Sequence, residues 1–303
     1  MTPSPALRIP DARQGTGTIA QQLVEELDLV IAHRTAGVLP GDRRAAGVGT
    51  GTELAQLRPY VPGDDVRHID PAATARTGEP HVRVHVPERT LTTWILLDLS
   101  PSMAFGTASR LKSDVAEGVA LVVARLAVRR AGRVALMTFG AGPRRMHPPH
   151  SSRRGLTAIR TALDGRVAAD GTHEPRALAD ALLHVRKLAR QPGLVVVISD
   201  LREQNGWTAA LATLRARHSI LVVEPHDPRE RELPPVGHLT LVDPETGEHV
   251  VVDTSRRELR EAFARIEADA RADVARELRR LRVDHAPLST HDDWFRDLGR
   301  KLR

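Results

Sequence analysis

The stretch "WILLDLSPSMAFG", residues 94–106, decides the fold. Trp94 to Leu97 is a continuous apolar run and reads as a buried strand. It stops at Asp98, Ser100 and Ser102, three oxygen-bearing side chains at alternate positions. A second apolar run, "LVVVISD" at 194–200, ends the same way in Asp200. Continuous apolar strands of this kind belong to sheets covered on both faces.

Outward from these strands the chain alternates. "HVRVHV" (81–86) alternates Val with polar residues, as a half-buried strand does. Residues 109–130 form a helix with Leu111, Val115, Val119, Val122 and Leu126 inward. Strands are predicted at 133–140, 194–199 and 219–224, and helices at 155–163, 175–191, 207–217, 255–281 and 292–302. "HLTLVDPETGEHVVVD" (238–253) reads as a β-hairpin with Pro244 and Gly247 in its turn. Strand and helix in alternation mean an α/β fold with a doubly wound, mostly parallel sheet.

Three regions follow. Residues 1–16 read as a flexible tail, 17–90 as an N-terminal block packed on the sheet domain, and 91–303 as that domain with its hairpin insertion near 238–253. Ile19, Leu23, Leu27 and Val30 share one face of a helix over 17–33, and 34–80 is mostly irregular. Asp64 and Asp65 read as turn residues. Arg67, His68, Asp70 and Arg76 supply a polar clasp. The strand at 81–86 is expected to pair antiparallel with "TTWILLD" across 87–90, which would make block and domain one unit.

Composition removes several classes. The 44 basic and 38 acidic residues leave a net charge of +6, with the two signs interleaved. That favours solubility over nucleic-acid binding, and 3% aromatic residues provide few stacking platforms. The lack of cysteine excludes disulfides, thiolate metal sites and a Cys nucleophile. No apolar stretch has the length of a membrane span, and "MTPSPALRIPDARQGTG" has no apolar signal core, so a cytoplasmic location is expected. Neither Gly-x-Ser-x-Gly nor His-Glu-x-x-His occurs. Phosphoaspartyl transfer would need a second Asp where Ser100 stands.

In doubly wound sheets, ligands sit at the carboxyl ends of the strands. Asp98 and Asp200 occupy such ends, and Thr172 lies in "DGTHEP", a Gly-containing loop that opens a helix. Two carboxylates and three hydroxyls on one rim are hard oxygen donors suited to Mg²⁺ or Mn²⁺.

Asp98-Leu99-Ser100-Pro101-Ser102 resembles the Asp-x-Ser-x-Ser signature of von Willebrand factor A domains, which opens their metal-ion-dependent adhesion site. Thr172 and Asp200 lie where that fold supplies its remaining ligands. Upstream, "LRPYVPGDDVRHIDPAATARTGEPHVRVHVPERTLTTWILLDLSPSM" (57–103) is similar to the bacterial family labelled "domain of unknown function fifty-eight". That family joins such a block to an A domain and is typically encoded beside MoxR-type AAA+ ATPases. The chain departs from the family at Pro71, where Trp is usual. The resemblance implies a metal site at Asp98, Ser100, Ser102, Thr172 and Asp200. The serines and Thr172 would bind directly, and the two aspartates through water. It further implies a non-enzymatic adaptor whose metal takes an Asp or Glu from a protein partner, either a MoxR-type ATPase or its client. The alternative is a metal-dependent hydrolase using the same Mg²⁺.

Overall fold

A small antiparallel sheet opens the described part of the chain. In this computed structural model the described residues are 53–86, 91–129, 132–151, 156–157, 159–161, 167–172, 174–203, 206–291 and 293–302. The tail at 1–16 and the helix expected at 17–33 lie outside them. Residues 53–86 and 91–302 belong to two separate units.

In the first unit, β1 (Glu53–Pro59) pairs antiparallel with β2 (His81–Val86), and α1 (Pro71–Thr77) lies between them in sequence. The helix is set by its ends. Asp70 accepts the Ala73 amide at 2.8 Å, and Gly78 closes the last turn at φ 77°. Pro71 falls in the first turn, where a missing amide proton loses nothing. Arg58 grips Asp64 through two bonds of 2.6 and 2.7 Å, and Arg83 Nε donates to Asp70 at 2.7 Å. Asp65 caps the short 3₁₀ turn at Val66–His68. The polar clasp thus runs from Arg58 to Asp64 and from Arg83 to Asp70. Of the four residues expected to build it, Asp70 takes part, in the second of these two pairs.

Two expectations are corrected here. Residues 34–80 are not mostly irregular over their described part, because β1 and α1 fall within them. And β2 pairs with β1 rather than with residues 92–98.

The second unit is built on β3 (Thr92–Asp98). The elements that follow are α2 (Lys112–Arg129), β4 (Arg133–Phe139), β5 (Arg145–His150), α3 (Ala177–Leu188), β6 (Leu194–Ile198), α4 (Trp207–Arg215) and β7 (Ser219–His226). After them come β8 (His238–Val242), β9 (His249–Asp253), α5 (Arg257–Arg280), β10 (Asp284–Ser289) and α6 (Trp294–Leu302). Residues 156–157 and 159–161 are helical as well. The large sheet has the order β10-β7-β6-β3-β4-β5, parallel throughout except for β5, which runs antiparallel to β4. This is the expected α/β architecture.

Alternation along the strands feeds two cores. Ile95, Leu97, Val134, Leu136, Val196, Ile198, Leu221 and Val223 face one way, against Val115, Val119, Val122 and Leu126 of α2 and Trp294 of α6. Trp94, Leu96, Met137, Val195, Val197 and Val222 face the other way, against Leu178, Leu182, Leu211 and Leu278. Because both faces are covered, the strands read as continuous apolar runs. Gly118 lets α6 approach α2: a Cβ there would lie 2.4 Å from the Trp294 ring.

The hairpin forms as expected, with β8 pairing antiparallel with β9. Besides β1, two strands of this unit escaped prediction. β5, "RMHPPH", carries two prolines, which an edge strand tolerates. β10, "DHAPLS", has an unpatterned sequence and is held by parallel pairing to β7. Among the described residues no helix is long and apolar enough to cross a membrane.

Candidate functional site

The strand order reverses between β3 and β6. From β3 the chain crosses to β4 on one side, and from β6 it crosses to β7 on the other. The carboxyl ends of these two neighbours therefore form a crevice at a topological switch point, where open α/β sheets take their ligands. Asp98 is the last residue of β3, and Ser199 and Asp200 directly follow β6.

Asp98 organises the loop that carries the serines. Its Oδ1 accepts the Ser100 amide at 2.9 Å, and its Oδ2 accepts the Ser199 hydroxyl at 2.6 Å. Ser100 Oγ then lies 3.1 Å from Ser102 Oγ. The loop continues as a 3₁₀ turn, Pro101–Ala104, pinned by Met103, which has no exposed surface. Gly140 makes room for it. At φ +83° it sits so close that a Cβ would meet the Ser100 amide at 2.8 Å and Asp98 Oδ1 at 2.9 Å. Just past the end of β6, Leu201 holds φ 56° after Asp200, a conformation that non-glycine residues rarely adopt. Its amide is tied to Ser199 Oγ at 3.1 Å, which fixes the turn that presents Asp200.

The two carboxylates are buried and electrostatically opposed. Burial, together with the nearby Asp200 charge, pushes the Asp98 carboxyl up to about 7. Burial would raise Asp200 too, but the Lys112 charge outweighs it. Asp200 is held below the ordinary carboxylate value by Lys112 and by a bond from the Ser102 hydroxyl. Lys112 Nζ donates to Asp200 Oδ2 at 2.7 Å and to Glu230 Oε1 at 2.6 Å. Burial opposes its charge, yet those two carboxylates raise its pKa. Arg202 adds an outer contact, 3.5 Å from Glu230 and 3.1 Å from Glu267.

Four of the five expected residues are thus brought together: Asp98, Ser100, Ser102 and Asp200. Thr172 lies on the loop 167–172, which is joined to the same rim by the Ala168 amide donating to the Leu99 carbonyl at 2.9 Å. Thr172 itself is exposed, and its amide bonds the Ala169 carbonyl at 3.3 Å. Among the described residues no hydrogen bond links it to the other four.

Sequence reading missed Lys112, Ser199, Glu230 and Glu245. Lys112 had a signal. It stands three residues before Val115, so a charge lies in line with the apolar face at the first residue of α2. Ser199 had one as well, lying between the last β6 residue and Asp200.

Among the described residues no three His, Cys, Asp or Glu side chains cluster to hold a metal. The donor set here differs in kind: two buried carboxylates beside two hydroxyls 3.1 Å apart. Oxygen donors around mutually repelling carboxylates fit a hard divalent cation. Lys112 already offsets part of the charge, so the ion would keep much of its electrophilic character.

An α/β protein with a polar crevice at the switch point of its sheet is the class so defined. The chain belongs to the family described as "Protein of unknown function DUF58", which matches residues 56–273. It is 38% identical over 278 residues to "Uncharacterized protein Rv1480" of Mycobacterium tuberculosis, covering 90% of this chain and 86% of that one. It is also 38% identical over 128 residues to "Uncharacterized protein MAV169" of Mycobacterium avium, covering 42% of this chain and 74% of that one. Among solved structures, it is similar to the conserved hypothetical protein BatB from Bacteroides thetaiotaomicron, at TM-score 0.39 and 15% identity over 70% of this chain and 97% of that one. The SpRpn10 VWA domain gives TM-score 0.31 and 15% identity, over 45% of this chain and 75% of that one. These likenesses are partial.

Proposed function

We propose that this protein is a non-catalytic, metal-dependent protein-binding adaptor. The supporting observation is the convergence of Asp98, Ser100, Ser102 and Asp200 where the β3 and β6 ends meet. Mg²⁺ or Mn²⁺ bound there supplies an electrophilic position for a carboxylate from outside. Ser100 and Ser102 offer their hydroxyls directly. Asp98, already spent on the Ser100 amide and the Ser199 hydroxyl, orients them. Asp200, shared with Lys112, sets the local charge. Thr172 completes the set if the 167–172 loop turns its hydroxyl inward. The partner supplies an Asp or Glu. From the resemblance of residues 57–103, that partner is a MoxR-type AAA+ ATPase or its client, met in the cytoplasm.

Calorimetric titration tests the reading. Mg²⁺ binds the full chain weakly, and Ser100→Ala with Ser102→Ala removes binding while the melting temperature stays within a few degrees. Wild-type affinity in the double variant overturns the site. Association with the ATPase weakens in EDTA and in Asp98→Ala; a pull-down indifferent to both overturns the metal-dependent contact.

A further inference from the structure

Glu245, at the tip of the β8–β9 hairpin, reaches back 143 residues to the serine loop, where its Oε1 accepts the Ser102 amide at 3.3 Å. Beside it, the Pro244 carbonyl accepts the Gly171 amide at 2.8 Å. The hairpin tip therefore touches both loops that carry proposed hydroxyl ligands, one with Ser102 and the other with Thr172.

The tip is built to hold this position. Asp243 Oδ1 accepts the Glu245 amide at 3.0 Å, Asp243 Oδ2 accepts the Thr246 hydroxyl at 2.9 Å, and the Asp243 carbonyl accepts the Gly247 amide at 2.8 Å. Gly247, at φ +72°, packs its turn against Gly171, where a Cβ would come within 3.5 Å of the Gly171 Cα. At the other end, the Thr254 amide and hydroxyl both donate to the Gly237 carbonyl, at 2.7 and 2.8 Å. Between these two fixings the hairpin is little buried, with Val250 54% and Val251 69% exposed. A two-stranded ribbon with so little apolar burial is marginal by itself. Its position depends on its ends, and the tip's end is the carboxylate side chain at Ser102 with the Pro244 carbonyl beside it.

A carboxylate held at the Ser102 amide, on the loop of a site that already gathers Asp98, Asp200 and Glu230, adds repulsion when no cation is bound there, and turns to attraction when one is. We propose that Glu245 is a further ligand residue of this site, carried by the hairpin and filling the position an external carboxylate would take. The inference rests on the metal-site reading above. It makes the hairpin a latch that a bound cation tightens, so an acidic partner has to replace Glu245 to reach the ion.

The test uses the full chain with Mg²⁺ as the only probe, read by calorimetry and by amide hydrogen exchange at 243–248. Wild type, Glu245→Gln, Glu245→Ala and the hairpin control Glu248→Gln are compared. Both Glu245 variants bind Mg²⁺ about tenfold more weakly. Mg²⁺ slows exchange at the tip in wild type and in Glu248→Gln, and not in the Glu245 variants. If Mg²⁺ binds all four proteins equally and leaves tip exchange unchanged, the ligand role of Glu245 is overturned while the metal site stands. If wild type binds no Mg²⁺, the metal site falls and this inference falls with it.

Discussion

Lys112 Nζ donates to Asp200 Oδ2 at 2.7 Å from a side chain with no exposed surface. The same nitrogen serves Glu230 at 2.6 Å, so one buried cation stands between two carboxylates. A pair this deep adds little net stability over an apolar substitute, but breaking it strands the charges that remain.

Lys112→Met is therefore expected to cost about 3–5 kcal/mol, as removal of one partner of a buried ion pair does. The loss should be partly recovered by Mg²⁺, because a bound cation offsets the uncompensated Asp200 charge and binds only the native state. Urea midpoints of wild type and variant, each with and without saturating Mg²⁺, check this. A larger Mg²⁺-induced gain in the variant is the expected result, and equal gains would separate Lys112 from the cation site.

Adjacent residues at the end of β7 predict two distinct acid transitions. Burial, aided by Arg231, Arg271 and Lys112, pushes the His226 imidazole down to about 4. The unfolded chain takes up this proton near pH 6.5, the ordinary value of an imidazole. Between these values the unfolded state binds more protons at this group than the native state, so the His226 contribution to stability falls as pH falls through the window from about 6.5 to 4, against an opposite slope from Asp98, whose carboxyl is pushed up to about 7 in the native state. Asp227 behaves differently. Burial would raise it, but the Thr107 amide and hydroxyl, the Thr290 hydroxyl and the Arg229 amide hold its carboxyl below the ordinary value. Its contribution is fully present above the unfolded carboxylate value and is lost as pH falls through its lower folded value. Melting temperatures recorded against pH should lose the upper transition in His226→Gln and the lower one in Asp227→Asn. An unchanged upper limb in His226→Gln would assign that limb to other groups.

The parts of the site that were legible in the sequence are those carried by local pattern. Asp98 and Asp200 each end an apolar run, and strand ends in a doubly wound sheet point to its switch point. Ser100 and Ser102 follow within one loop. What escaped reading is held by long-range contacts. Lys112 meets Asp200 across 88 residues and Glu230 across 118, and Glu245 meets Ser102 across 143. Side-chain bonds over such separations leave no periodicity in the chain. The same holds for β10, whose "DHAPLS" has no strand pattern and depends on β7 for its hydrogen bonds. β2 was recognised as a strand but given the wrong partner. Proximity in sequence favoured residues 92–98, yet both edges of β3 are already filled, by β4 and β6.

That pairing leads to the last prediction. Every strand of the six-stranded sheet comes from residues 92–289, so removing β1 and β2 takes away none of its ladder hydrogen bonds. Both apolar cores flanking this sheet are likewise supplied from within the second unit. A chain of residues 88–303 is expected to fold, to run as a monomer on size exclusion, and to keep wild-type amide protection in β3 and β6. Its Mg²⁺ affinity should match the full chain, because Asp98, Ser100, Ser102, Asp200 and Glu245 are all retained. Exposure of a new sheet edge would instead bring aggregation, the hazard of an unpaired strand. Concentration-dependent association of the truncated chain, together with lost protection in β3, would show that the first unit supports this sheet by contacts other than strand pairing.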